Sequence, residues 1–436
     1  MGNSMVSIAL PSLMDHFSVS LTSVVWSLTL YTLSFSVLMP VFGVLGPVIG
    51  YKRLYIAGIL LVCLGSLLCV WAPSFGVFLF ARVLIGIGVA PILPTIMGLI
   101  SNRFAPEIQG QATGYWAFVN SGGHAIGPIL GGVLLEYLGW QAIFLINLPL
   151  GLLSILLVLK LVPHDERLLR IPFDVLGALA ATSASFCLML AITQSAKLGV
   201  LAPLSVALWG GLVSSLVFLA WFERRQEHPF VDPTLFTNRA YLATVVPISL
   251  QAFCQFGLLV SLPIFLIDIH GMEKQFAGLI IMTMTLTMAL LSPLAGRLSD
   301  QWGSKWICMT GTVLVALGAL ALFGLRLFDL SGWGWGVLLS SLFIFGLGFG
   351  SVQATATVSV LKTVPKEKTG VATGFFHMIR FISASLGSTI FGIILENSSG
   401  GMTAGFFQSL WVVFALVLFT LPFTFWLPSR QRVASE

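Results

Sequence analysis

Four ionisable side chains sit where the surrounding sequence is almost wholly apolar: Arg82, His124, His377 and Arg380. A guanidinium inside a membrane costs about 2.5–3.5 kcal/mol on insertion scales, so Arg82 should face a polar interior and have a partner or a substrate. Because Arg82 lies near one end of its apolar run, snorkelling to the interface is the alternative. His377 and Arg380 are three residues apart, which places them on one helical face where they can line a cavity. His124 titrates around neutrality if unperturbed, and it reads either as a proton carrier or as a histidine satisfied by a neighbouring helix.

His124 belongs to the stretch SGGHAIGPILGG, residues 121–132, which holds five glycines and a proline in twelve residues. In a helix each glycine costs about 1 kcal/mol and the proline about 3 kcal/mol relative to alanine. Packing accounts for that cost. Small residues at Gly123, Gly127, Gly131 and Gly132 let another backbone approach, and Pro128 removes one helix hydrogen bond and bends the span. Such a helix can act as a pivot or a seal, with ordinary tight packing as the plainer alternative. Polar chemistry also gathers in two related turns, GVLGPVIGYKR (Gly43, Gly50, Lys52, Arg53) and GRLSDQWGSKW (Gly296, Asp300, Gly303, Lys305). In the second, placed in a loop by the sequence, Asp300 can cap a helix N-terminus or pair with a base on a neighbouring helix, and making and breaking that contact would form an inner gate. Pro47, at the matching place in the first, cannot do this. The sequence shows no nucleophile with a base, no metal-ligand cluster and no phosphate-binding glycine loop, so neither enzymatic activity nor a cofactor is expected. Without a nucleotide motif, any transport must draw on a gradient.

The elements that position these residues are apolar helices. Of 436 residues, 57% are hydrophobic and 8% charged, and the mean hydropathy is +1.00, which together specify an all-α polytopic membrane protein. Apolar runs predict thirteen complete spans, near 24–49, 55–72, 77–101, 112–138, 141–161, 174–195, 203–222, 241–266, 276–295, 307–325, 333–361, 370–395 and 405–427. The apolar part of residues 1–17 is shorter than the roughly 20 residues a span needs, and it reads as the outer half of a first span that begins upstream. Cys63, Cys69, Cys187, Cys254 and Cys308 all fall in apolar runs, as small core residues rather than a disulfide set. No cleavable signal peptide is evident.

With loops assigned alternately, one side holds 16 of the 21 Lys and Arg and the other only Lys197, Lys274 and Arg326. The basic side is therefore expected to be cytoplasmic, and the C-terminus with it. None of the 16 Asp and Glu falls near the middle of a complete span, whereas Arg82 and Arg380 are embedded. A cationic solute entering such an interior finds no countercharge, so neutral, zwitterionic or anionic amphiphiles are the expected substrates.

The chain also repeats itself. Gly43 and its neighbours recur at Gly296, an offset of 253; GQATGYW from Gly110 recurs as GVATGFF from Gly370, and Gly127 and Gly132 recur as Gly387 and Gly392, an offset of 260. Parallel repeats of this kind build many transporters, with the substrate path between the halves. The offset exceeds six spans by about two, at roughly 30 residues per span with its loop. The expected division is an N-terminal bundle over 1–162, two inserted spans with linkers over 163–240, and a C-terminal bundle over 241–436.

On these motifs the chain resembles the major facilitator superfamily, and its 6 + 2 + 6 count is similar to the fourteen-span drug:proton antiporter branch. SIALPSL resembles the end of that branch's first-span motif, FARVLIGIG its fourth-span motif with Arg82, GHAIGPILGG its fifth-span antiporter motif, and GWQAIFLINLPLG the stretch that follows. The resemblance implies two six-helix bundles with two extra helices between them, and export of small amphipathic compounds by proton-coupled alternating access. It implies that Gly127, Pro128, Gly131 and Gly132 hold the central cavity closed against ion leak. The chain departs from the pattern at Gly2 and Pro47, where the family has acids. The proton carrier is then expected to be His124, Glu136 or a group in the missing part of the first span. A dedicated exporter of one metabolite or lipid-like molecule is the alternative, and a non-transporting membrane sensor is disfavoured by the lack of large polar loops. The expected partners are the lipid bilayer, protons and a small amphipathic substrate, with no nucleic acid, and the protein is expected to be a monomer in the cell membrane.

Overall fold

The computed structural model describes residues 2–163, 174–226, 230, 235, 237–326, 333–365 and 368–427. They form helices joined by short turns. The N-terminal part contains α1 (Gly2–Ile8), α2 (Leu10–Phe17), α3 (Leu21–Ile49), α4 (Tyr51–Val70), α5 (Phe75–Val89), α6 (Ile92–Arg103), α7 (Gln109–Leu138), α8 (Ala142–Leu145) and α9 (Asn147–Leu161). Next come α10 (Val175–Leu198) and α11 (Pro203–Glu223), and then α12 (Arg239–Pro263), α13 (Lys274–Trp302), α14 (Ser304–Phe323), α15 (Trp333–Thr363), α16 (Thr369–Asn397) and α17 (Gly401–Thr424). Among the described residues twelve helical stretches are long and apolar enough to cross a membrane, and thirteen with the bent α7 counted as one span. This agrees with the thirteen expected from hydropathy.

Local chemistry sets the ends of these helices. Ser20 accepts from the Ser23 N–H at the start of α3, Asp174 from Gly177 at the start of α10, and Asn238 from Ala240 and Tyr241 at the start of α12. Gly50 (φ 103°) and Gly303 (φ 89°) end α3 and α13 in a backbone region that side-chain-bearing residues rarely adopt. One such glycine turns the chain straight into the next helix. The expected loops at 50–54 and 296–306 are therefore single-residue turns, and Asp300 lies in the last turn of α13 rather than in a loop.

Each half has its own core. In the first, Leu13, Phe78, Trp140, Ile143 and Phe144 pack together, with α1 against α7 and α2 against α3. In the second, Leu258, Phe265, Phe345, Phe349, Phe391 and Phe406 form the centre. The halves meet chiefly along two pairs of helices, α3 with α16 and α7 with α13, with α6 also touching α16 and α7 touching α15. α10 touches both α3 and α16: Met189 sulfur lies 3.6 Å from the Ser36 hydroxyl, and Ser185 lies 3.2 Å from the Met378 sulfur. α11 packs on α10 and turns most of its surface outward, as a helix facing lipid does.

Candidate transport site

The repeat seen in the sequence becomes geometry where the halves meet. Gly43 on α3 and Gly370 on α16 face each other so closely that a Cβ on either would overlap the other's carbonyl oxygen; Gly296 on α13 and Gly110 on α7 do the same. One turn further in, a Cβ on Gly374 would stand 2.8 Å from the Met39 carbonyl oxygen, and one on Gly114 would stand 2.7 Å from that of Ser292. Both crossings therefore depend on backbone-to-backbone approach. They lie at the end of the bundle that carries Lys52, Asp300 and Lys362.

The two crossings differ in charge. Asp300 is almost fully buried; its carboxylate accepts from the Gly110 N–H at 3.1 Å and the Gln111 N–H at 2.9 Å, and pairs with Lys362 on α15 at 2.9 Å. A carboxylate at the N-terminus of α7 satisfies donors that the helix leaves open and meets the positive end of its dipole. Both uses expected of Asp300, cap and ion pair, occur together. At the other crossing Pro47 offers no acceptor, and the start of α16 is met by a neutral contact, Thr369 to Ser101 on α6 at 3.3 Å. Lys52 and Lys305 face elsewhere. The Lys52 ammonium donates to the Leu159 carbonyl at 3.1 Å and to that of Val162, tying α4 to the end of α9, and Lys305 lies over the Phe425 ring at 4.9 Å. Arg53 lies in the first turn of α4 with its side chain exposed.

Beyond this seal, α16 presents His377 and Arg380 to the interior, both buried. An Arg380 Nη donates to the Gln353 side-chain oxygen on α15 at 3.0 Å. Among the described residues, Arg380 Nε, Gln353 Nε2 and both His377 ring nitrogens have no hydrogen-bond partner. Aromatic rings adjoin the group. Trp116 from α7 meets His377 edge-on at 5.9 Å between centroids, Phe381 lies 5.8 Å from the Arg380 guanidinium, and Phe35 from α3 meets Phe381 edge-on at 4.7 Å. The expected pairing of His377 and Arg380 on one face is therefore present. Gln353 and Trp116 join it from other helices, which spacing along α16 could not reveal.

Arg82 is set apart from this group. Its Nε donates to the Ser27 carbonyl at 3.1 Å, and its guanidinium lies over the Tyr31 ring at 4.5 Å and 5.9 Å from the centre of Phe144, all within the N-terminal bundle. The antiporter motif lies on α7, which bends by 45° between Gly127 and Ile129, the place of Pro128. Gly131 receives Met5 of α1, whose Cα would be 3.0 Å from a Cβ there, and Gly127 is buried. Gly132 would meet no described atom within 4 Å, so the close approach expected there is absent from this conformation. Gly123 is half-buried, and the His124 side chain is exposed. Glu136 lies near the far end of α7.

Comparison with known proteins places this geometry. The profile of the Major Facilitator Superfamily matches residues 1–388 and, in a second overlapping match, 246–436. The chain is 30% identical over 401 residues to the riboflavin transporter RibZ of Clostridioides difficile, covering 91% of this chain and 85% of that one. It is 31% identical over 395 residues to the multidrug resistance protein Stp of Mycobacterium tuberculosis, covering 89% and 72%. Among solved structures it superposes on the human organic anion transporter MFSD10 with a TM-score of 0.69 at 15% identity, covering 95% and 88%, a likeness of fold.

Proposed function

The chain belongs to the major facilitator superfamily and is a multi-pass membrane transporter, not an enzyme; on that footing we propose that it exports small amphipathic compounds by proton-coupled alternating access, as a fourteen-span antiporter. The observation that carries this reading is the pair of glycine crossings between the halves, closed at one end and locked there by Asp300. Backbones in direct contact with a charged latch form a joint that can separate without unfolding either bundle. The end bearing Asp300 is the cytoplasmic one, because the loops there hold most of the Lys and Arg. In this conformation the path is shut toward the cytoplasm. The bend of α7 and the seat of Met5 on Gly131 suit the antiporter motif to a seal at the opposite side. Arg82 braces α5 against α3 and keeps that wall polar. His124 and Glu136 are the candidate proton carriers.

The multidrug name of one relative supports a broad substrate range. The riboflavin transporter, of similar identity, supports the alternative of one dedicated metabolite. Both readings are tested by expressing the full chain in cells lacking their own exporters and following accumulation of a panel of drugs and dyes, with riboflavin included, with and without a proton uncoupler. Export of several unrelated compounds that stops with the uncoupler is expected. Movement of riboflavin alone would replace multidrug export by the dedicated reading, and export indifferent to the uncoupler would remove proton coupling. In the same assay Arg82→Ala should abolish export with the protein still in the membrane, while His124→Gln or Glu136→Gln should alter its pH dependence.

A further inference from the structure

The group around Arg380 holds a buried cation and more donors than acceptors. Arg380 and His377 have no acidic partner among the described residues, and the Gln353 oxygen, the acceptor within reach of Arg380, already takes one guanidinium N–H. Three further sites remain open: Arg380 Nε, Gln353 Nε2 and the His377 imidazole, on side chains that are all more than nine-tenths buried. Nearly all buried polar groups find partners, so open donors beside a buried cation point to an acceptor that belongs to something bound. The planar fork of a guanidinium matches a carboxylate, sulfonate or phosphate ester.

Position adds a second argument. Arg380 is eleven residues from the start of α16, about 16 Å along its axis, and His377 is one turn beyond Gly374, the innermost glycine of the α3–α16 crossing. A head group held there rests just above the closed crossing. Trp116, from the opposite half, lies two residues beyond Gly114 of the other crossing and reaches His377. The site is thus assembled from both halves, with an aromatic wall of Trp116, Phe35 and Phe381 around its polar end. His124 lies on α7, the helix that also carries Trp116.

We propose that Arg380, Gln353 and His377 receive a single anionic head group of an aromatic amphiphile whose ring lies against Trp116. This rests on the reading of the protein as an exporter of amphiphiles and gives that substrate a charge and an orientation. The site recognises one anionic end through the fork of Arg380, and dications such as methyl viologen are disfavoured because the interior charge is positive.

The probes are 1-pyrenebutyrate and 1-pyrenebutanol, which share a ring and differ in carrying a carboxylate or a neutral hydroxyl. Binding to the purified full chain in lipid nanodiscs is read by energy transfer from tryptophan to pyrene, and export by efflux from proteoliposomes. Wild type should bind the carboxylate at least about tenfold more tightly, about 1.4 kcal/mol. Arg380→Gln should erase that preference while leaving pyrenebutanol binding within about twofold, and Arg380→Lys should keep part of it. Trp116→Phe should lower the energy transfer at saturating probe. Equal affinity for the two probes in wild type, or an unchanged preference in Arg380→Gln, overturns the proposal. Should Arg380→Gln fail to reach the membrane, Arg380→Lys decides: a preference reduced about threefold or more supports the site, and an unchanged one overturns it. The export reading fails separately. Preferential binding that depends on Arg380, without uphill efflux of either probe, removes the exporter and leaves the anion site standing, whereas efflux of both probes at equal rates removes the anion site alone.

Discussion

The crossing of α3 over α16 and that of α7 over α13 share a backbone plan and differ in electrostatics. Gly43 against Gly370 repeats Gly296 against Gly110, and Gly374 against Met39 and Pro40 repeats Gly114 against Ser292 and Pro293. The sequence offsets of 253 and 260 become two near-copies of one joint. Charge then separates them: Asp300 and Lys362 lock one copy, while Pro47 and a Ser101–Thr369 contact finish the other. Packing is thus held in common and the lock is one-sided. Opening the path toward this end would require both crossings to part, but the charged contact resists at one of them alone.

The largest effect should come from the shared plan. Leu at either Gly43 or Gly296 forces two backbones apart, and because overpacking costs about 1–3 kcal/mol or more, each should lower export more than about tenfold with normal membrane abundance. Normal export from Gly43→Leu beside an inactive Gly296→Leu would break the symmetry just described. Asp300→Asn comes next. It removes the ion pair and weakens the bonds from Gly110 and Gln111, and charge-assisted bonds of this kind contribute about 1.5–3 kcal/mol. A cysteine placed at Thr113, buried on α7 in the closed state, should then label from the Asp300 end roughly tenfold faster. Pro47→Asp in that background should slow labelling again, by supplying the start of α16 with the acceptor it lacks; no slowing would show that the first crossing cannot take a lock.

Lys362→Gln should have a smaller effect. Lys362 is about a quarter exposed (26%), and a partly solvated pair contributes about 0.2–1 kcal/mol. Labelling at Thr113 should rise by less than about fivefold, because the amide contacts of Asp300 persist. An effect equal to that of Asp300→Asn would mean that the ion pair, not the helix cap, holds the joint. Smallest of all should be Thr369→Val, which removes the long neutral contact to Ser101 and should change labelling by about twofold or less, at the low end for one neutral hydrogen bond. A tenfold rise would show that the uncharged crossing carries a polar lock of its own.

Much of this was legible before any coordinates. The spans follow from runs of apolar residues, since a backbone in lipid must satisfy its own hydrogen bonds and therefore forms helices. The break in α7 follows from Pro128, and the repeated motif marked Asp300 as a cap or an ion-pair partner; the abrupt turns at Gly50 and Gly303 were not foreseen, since the sequence put loops at 50–54 and 296–306. The echo of GQATGYW in GVATGFF marked Gly110 and Gly370 as equivalent, but it did not say that each would face a glycine of the other motif. Lys362 counted only as one base among many on the basic side. Gln353 was a single polar residue inside an apolar span, with no spacing rule to connect it to Arg380 27 positions away.

The sequence by itself determined the apolar spans and their number, the doubling of its motifs, and which side chains are costly to bury. Those properties arise from the local balance of hydrophobicity, backbone hydrogen bonding and glycine or proline geometry, and each can be read within a few turns of chain. Tertiary structure alone decided which of these residues meet. Arg82 was taken up by α3 inside one bundle, whereas Arg380 was left with open donors between two. Both are arginines in apolar runs, and the distinction depends on which helix face lies opposite, a relation between segments far apart in the chain that no local pattern encodes.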